Sequence, residues 1–165
     1  MIQPIVDMLE ASLGPMGLAG LGAGIAIILT GISSAKGLEV AGHTAAGVTA
    51  EDEKNFKNAL VLQALPTTQV IYGFIIAVLI IFMGIYSEKI ETTHQGWICL
   101  LSGLAVGFTG ISAVNQGRVA SSGIGAAAKN ERILSNVLLY AVMPETAALF
   151  GFVAAFLMLW SAGLF

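Results

Sequence analysis

The chain has 165 residues, of which 56% are apolar and only 10% are Asp, Glu, Lys or Arg, and its mean hydropathy is +0.87. A soluble domain carries about 25% charged residues, so an ordinary soluble globule is excluded, and a formal net charge of −3 offers nothing to a nucleic-acid partner. A single cysteine, Cys99, excludes an intramolecular disulfide framework and reads as a small core residue; with only two scattered histidines it also excludes a zinc or iron–sulfur pattern.

The apolar residues fall in long blocks, and runs of 18 or more read as membrane helices. The amino-terminal Met1-Ile2-Gln3-Pro4 has no basic stretch and is followed by Asp7 and Glu10, so it is not a secretory signal and the first apolar block is expected to be retained. Four helices are predicted, over roughly 13–41, 55–86, 95–127 and 131–163. The first carries a stripe of small residues at Gly17, Gly20, Gly24, Gly31 and Ala35. A linker around 42–54 follows, with the charged run Glu51-Asp52-Glu53-Lys54. The second helix is bulky (Ile75, Ile76, Leu79, Ile80, Phe82) and ends at a linker around 87–94 containing Glu88 and Lys89. The third repeats the small stripe at Gly103, Gly107, Gly110, Ala113 and Gly117, and a tight turn around Lys129-Asn130-Glu131 leads to the fourth, bulky again at Phe150, Phe152, Phe156 and Leu157. Small residues on one face let helices approach closely in lipid, which predicts an inner layer from the first and third helices and an outer, lipid-facing layer from the other two. Gly20-x-Gly22-x-Gly24 is no dinucleotide loop: the third glycine is misplaced and no strand precedes it.

Orientation follows the basic residues. Lys36, Lys54, Lys57, Arg118, Lys129 and Arg132 flank the first and third linkers, and only Lys89 lies at the other side. Linkers one and three are therefore expected in the cytoplasm and both termini outside, with Tyr86, Trp97 and Trp160 forming an aromatic belt at the outer interface. The chain also repeats itself. Thr30-Gly31-Ile32-Ser33 recurs as Thr109-Gly110-Ile111-Ser112, Tyr72-Gly73-Phe74 as Phe150-Gly151-Phe152, and Pro66 as Pro144, at an offset of 78 to 79 residues. Each half is then one helical hairpin, 1–86 and 87–165, in a parallel duplication unlike the inverted repeats of many secondary transporters.

One acid interrupts the fourth block: Glu145, in Val142-Met143-Pro144-Glu145-Thr146. An ionisable residue within a span costs on the order of 2.5–3.5 kcal/mol even by lenient insertion scales, and by default marks function. Counting about 1.5 Å per helical residue from the outer ends puts Glu145, Gln116 and Gln69 at similar depth, within about one turn, on three different helices. Leu65, Thr68, Gln69 and Tyr72 share one helix face by their i, i+3, i+4, i+7 spacing. Pro66 and Pro144 each remove a helical hydrogen bond and release a carbonyl, which a bound ion can satisfy. The Leu65 carbonyl, the Thr68 hydroxyl, the Gln69 and Gln116 amide oxygens and the Glu145 carboxylate are hard donors of the kind hard cations select. Tyr72 offers a phenolic donor to lock the carboxylate. A proton needs fewer oxygens, so Na⁺ is the favoured cargo; H⁺ alone is the alternative, with the Gln and Thr residues satisfying one another between helices.

At these residues the sequence resembles the duplicated proteolipid, or K subunit, of V-type and A-type rotary ATPases. The resemblance spans essentially the whole chain and is strongest at Leu65-Pro66-Thr67-Thr68-Gln69-Val70-Ile71-Tyr72-Gly73-Phe74, Gln116-Gly117-Arg118-Val119 and Pro144-Glu145-Thr146. It implies an all-α membrane protein that assembles with identical copies into a rotor ring, with no catalytic site of its own. The ring would turn against a stator subunit with an essential arginine and dock a central stalk on the cytoplasmic side, in the plasma membrane of a prokaryote. In sodium-pumping members the ligands match Leu65, Thr68, Gln69, Gln116 and Glu145, with Tyr72 holding the Glu. One departure is Thr67-Thr68, where such members often have Gly-Thr. Thr67 is also the repeat partner of Glu145, so the first hairpin lacks a carboxylate, which implies half the ions per hairpin. Rival classes are a small four-helix cation-coupled exporter, which keeps its essential Glu in the first helix, whereas this first helix has no acid until Glu39; and a purely structural proteolipid or pore-forming ring. His43, His94 and the cytoplasmic basic residues are expected to be bystanders or a solvated face, with Lys36, His43, Lys54, Lys129 and Arg132 as candidates for stalk docking. Arg118 is expected to face the ring interior or to snorkel.

Overall fold

The computed structural model describes residues 3–165; Met1 and Ile2, part of the amino-terminal stretch read above, lie outside the described residues. Helix α1 runs Gln3–Glu51 and is broken at one point, Gly14, whose φ of 61° and ψ of −178° are non-helical. Pro15 follows, and a proline disfavours helical geometry in the residue before it. Glycine enters the positive-φ region without steric cost, so the pair bends the helix within a single residue. At its other end α1 continues about ten residues past the expected limit at 41. Ala41, Ala45, Ala46 and Ala50 explain this, since alanine is the strongest helix former while hydropathy marks where lipid ends rather than where a helix does.

Asp52 then accepts the Lys54 N–H at 3.0 Å and opens a short 3-10 turn, Glu53–Asn55. Helix α2 (Phe56–Gln63), a 3-10 turn at Leu65–Thr67 containing Pro66, α3 (Thr68–Leu79) and a π-helical stretch Ile80–Tyr86 form the second rod. Thr92 and Gln95 close a capping box over α4 (Thr93–Gly110), which continues through a single tightened, still helical residue at Ile111 into α5 (Ser112–Lys129). Asn130 accepts the Arg132 N–H at 3.2 Å and leads through a 3-10 turn, Glu131–Ile133, to α6 (Leu134–Val142) and α7 (Glu145–Ser161). Three stretches, Gln3–Glu51, Glu53–Tyr86 and Thr93–Lys129, are long and apolar enough to cross a membrane. Glu131–Val142 and Glu145–Ser161, bent by 40° at their junction, reach that length as a pair.

The α1 rod lies along α4 and α5 at backbone distance. A Cβ on Gly22 would overlap the Cys99 carbonyl, and one on Gly103 would overlap the Gly22 carbonyl; Gly37 and Gly117 stand in the same relation lower down. The third-helix stripe packs as expected: Gly103, Gly107, Gly110, Ala113 and Gly117 are all buried. The first-helix stripe does not. Gly20 and Ala35 are exposed, and a Cβ on Gly20 or Gly24 would meet nothing within 4 Å. The packed face of α1 is instead Ala19, Gly22, Ala23, Ala26, Thr30, Ser33, Gly37 and Ala41. Small residues occupy two faces of this helix, so periodicity alone could not choose between them. Of the bulky residues expected outside, Phe82, Phe150 and Leu157 are exposed, but Ile76 and Ile80 are fully buried because α3 and the stretch after it also close the core.

The repeat is visible as geometry. Thr30 Oγ1 donates to the Ala26 carbonyl at 2.7 Å and Thr109 Oγ1 to the Ala105 carbonyl at 2.8 Å. Gly73 makes room for Thr30 as Gly151 does for Thr109. Asp52 and Asn130, 78 residues apart, open equivalent turns. Ser33 adds a tie between rods, donating to the Gly110 carbonyl at 2.9 Å.

Candidate functional site

The breaks at Pro66 and Pro144 build the site. Pro144 cannot donate to the ladder, so α6 ends at Val142 and α7 starts afresh at Glu145, whose carboxylate lies in the first turn. The break therefore sets the acid at the start of a helix. Glu145 is half-buried, and both carboxylate oxygens are engaged: Tyr72 Oη donates to Oε1 at 2.9 Å and Gln116 Nε2 to Oε2 at 3.2 Å. Gln69 Nε2 donates to Gln116 Oε1 at 2.7 Å, and both glutamines are fully buried. Thr68 Oγ1 lies 3.2 Å from the Leu65 carbonyl and 3.2 Å from Gln69 Oε1. Leu65, Thr68, Gln69, Tyr72, Gln116 and Glu145 thus form one connected network across α3, α5 and α7, with Pro66 and Pro144 at its edges. The Leu65 carbonyl is not left bare by Pro66, since it also accepts the Thr68 N–H. A carbonyl oxygen has two lone pairs, so one is free for a further partner only once the Thr68 hydroxyl turns its proton away.

Among the described residues no Lys or Arg lies within ion-pair distance of Glu145; the one ion pair is Lys36–Glu39 at 3.1 Å, in a solvated position. Arg118, His43 and His94 are exposed and take no part in the network, nor do Lys54, Lys129 and Arg132. Two supporting residues were not read from the sequence. Phe152 stacks on Tyr72 with ring centroids 5.2 Å apart, and its place in the Tyr-Gly-Phe repeat was a usable signal. Ser34 Oγ accepts the Val70 N–H at 3.1 Å, one turn beyond the Pro66 break, and no pattern pairs those two positions.

The sequence model of the ATP synthase C-subunit family matches residues 16–80 and 100–158. The chain belongs to this family. Two matched segments in one chain, with the repeat described above, make it a duplicated proteolipid of the V/A type, an integral membrane protein that is not itself catalytic. It is 41% identical to the A-type ATP synthase subunit K of Methanocaldococcus jannaschii over 145 residues, 88% of this chain and 63% of that protein. It is 40% identical to the V-type sodium ATPase subunit K of Enterococcus hirae over 159 residues, 96% of this chain and the full length of that one. The chain therefore spans somewhat under two thirds of the first of these proteolipid relatives and the whole of the second.

Proposed function

We propose that this proteolipid is the ion-carrying subunit of a rotor ring in a V/A-type rotary ATPase, and that its cargo is Na⁺ held by Glu145, Gln116, Gln69, Thr68 and the Leu65 carbonyl. In this reading the bent α6–α7 pair is a fourth span and the halves 1–86 and 87–165 are two hairpins. Linkers one and three face the cytoplasm and a central stalk, and both termini lie outside. The observation that carries the proposal is a carboxylate within the apolar α6–α7 pair that is hydrogen-bonded on both oxygens by neutral donors and, among the described residues, has no basic partner. Its single charge matches one monovalent cation; a divalent ion would leave an uncompensated charge in lipid, where charge is costly. The donor set is all oxygen, as Na⁺ requires, and the relative from Enterococcus hirae carries sodium in its name.

The cycle is electrostatic. While the proteolipid faces lipid, Na⁺ neutralises Glu145 and Tyr72 holds the carboxylate inward. At the stator a fixed arginine competes for Glu145, the Tyr72 bond opens and Na⁺ leaves. The emptied site refills from an aqueous half-channel as the ring turns. Hydrolysis or synthesis of ATP occurs in partner subunits. One observation favours a proton instead: Thr68, Gln69, Gln116 and Glu145 are already linked by hydrogen bonds to one another, and a protonated acid would need only the Tyr72 hydroxyl to turn and accept its proton.

Carbodiimide labelling of Glu145 in the purified complex at fixed pH separates the two. Protection by millimolar Na⁺ but not by K⁺ is the expected result. Labelling that follows pH alone would overturn the sodium reading and leave the proton. A Glu145→Gln complex that still pumps would end both.

A further inference from the structure

A groove of about 520 Å³ opens between the carboxyl-terminal end of α1 and α2, lined by Gly42, Ala45, Ala46, Thr49, Ala59 and Gln63 among others. The 78-residue repeat says what fills such a groove. Moving these positions forward by 78 gives Ala120, Gly123, Ile124, Ala127, Val137 and Ala141, the corresponding surface of α5 and α6, and there the counterpart is closed. The residue that closes it is Leu62, which is 0% exposed, packs in one cluster with Ala120, Ile124, Val137 and Ala141, and comes within 3.7 Å of the Cβ position of Gly123. The repeat partner of Leu62 is Tyr140. Tyr140 is 65% exposed and lines a second groove with Val119, Ser122, Gly123 and Val137, the last two of which also border the Leu62 contact.

We infer that Tyr140 of one copy seats in the α1–α2 groove of the next copy, as Leu62 seats against α5 and α6 within the chain. The inference rests on the ring reading and gives it a specific contact. Size agrees on both sides. Where the filled site has Ile124 and Val137, the open groove has Ala46 and Ala59, so it is larger; where the filled site takes Leu62, its counterpart is the larger Tyr140. Chemistry agrees as well. A tyrosine brings a hydroxyl that needs a partner once buried, and the groove offers Thr49 and Gln63, where the filled site has Ala127 and Ala141. Among the described residues the Gln63 amide makes no side-chain hydrogen bond, although it reaches toward Gly42 inside the groove. A plug and a socket that share no residue make a heterologous contact, which closes into a ring or runs on as a filament but does not stop at a pair.

The test is a disulfide between copies. Tyr140→Cys and Ala46→Cys are combined in one chain with Cys99→Ala. The protein is purified as its native multimer in mild detergent, sized by native mass spectrometry, oxidised, and run on a denaturing gel. The expected result is a ladder of dimer, trimer and higher species, absent when Leu139→Cys replaces Tyr140→Cys. A multimer of unchanged mass that stays monomeric on the gel would overturn the contact and leave the ring, with a lipid tail or another helix in the groove. Cross-linking that stops at dimers would overturn the head-to-tail arrangement. A chain that purifies as a monomer and forms no cross-link would overturn the ring itself. Because cysteines can perturb packing, Tyr140→Ala gives an independent readout: the multimer should dissociate at lower temperature while the helical content of the chain is unchanged, and an unaltered dissociation temperature would count against the contact.

Discussion

Replacing Tyr72 by Phe removes one hydroxyl and keeps the ring stacked on Phe152 at 5.2 Å. The lost group donates to Glu145 Oε1 at 2.9 Å. In the proposed cycle that bond is kept while the carboxylate faces inward, beside Gln116, with its ion bound, and would be lost when the emptied carboxylate turns to a stator. Its loss therefore disfavours the ion-holding arrangement relative to the empty one. A hydrogen bond to a charged group contributes about 1.5–3 kcal/mol, and 1.4 kcal/mol is about tenfold in an equilibrium constant. Na⁺ binding in Tyr72→Phe should then weaken by roughly ten- to a hundred-and-fifty-fold. The assay is the Na⁺ concentration that half-protects Glu145 from carbodiimide, measured on parent and variant at one pH, with thermal unfolding followed in parallel. A midpoint within about twofold of the parent, in a variant that unfolds at the same temperature, would refute the assignment of Tyr72 to the ion-holding geometry.

Gly103→Val should lower the unfolding temperature of the detergent-solubilised chain, because its side chain meets the Gly22 backbone, which has no rotamer to give way; overpacking of this kind costs about 1–3 kcal/mol or more. Gly20→Ala, with nothing within 4 Å, should leave the fold of a single chain as stable or slightly more so, by up to about 1 kcal/mol of helix propensity, in the same unfolding measurement. Ser34→Ala strands the Val70 N–H in a part-buried position at a cost of about 1–3 kcal/mol, and faster hydrogen exchange at Val70 is the expected sign. An exchange rate that does not change would mean that the contact contributes nothing.

Residues of the site were legible because intramembrane polarity is rare. Glu145, Gln116 and Gln69 stand out from apolar surroundings, counting helical rise put these three at similar depth, and hydrogen bonds join them with Thr68. The orientation of α1 was not legible. Alanine, glycine and serine occupy both the face that meets α4 and α5 and the face with Gly20 and Gly24, so a small-residue period fits either. The reach of α1 to Glu51 was hidden for another reason: the stretch after Ala41 is polar enough to leave a hydropathy window yet rich in helix-forming alanine. The Ser34–Val70 contact joins residues 36 apart in sequence, and only tertiary packing creates it.

The backbone contacts at Gly22–Gly103 and Gly37–Gly117 have a mechanical consequence. A seam made of main chain has no side chains to deform, so it is stiff, and Gln116, next to Gly117, is mounted on its rigid side. The rod that follows the 40° junction has no such seam: Gly151, the buried glycine of α7, meets the Thr109 side chain rather than main chain. A displacement at that junction would therefore move Glu145 against Gln116 and Tyr72, which sits beside the close contact of Gly73 with the Ala26 backbone, opening the network from one side like a jaw with a single moving half.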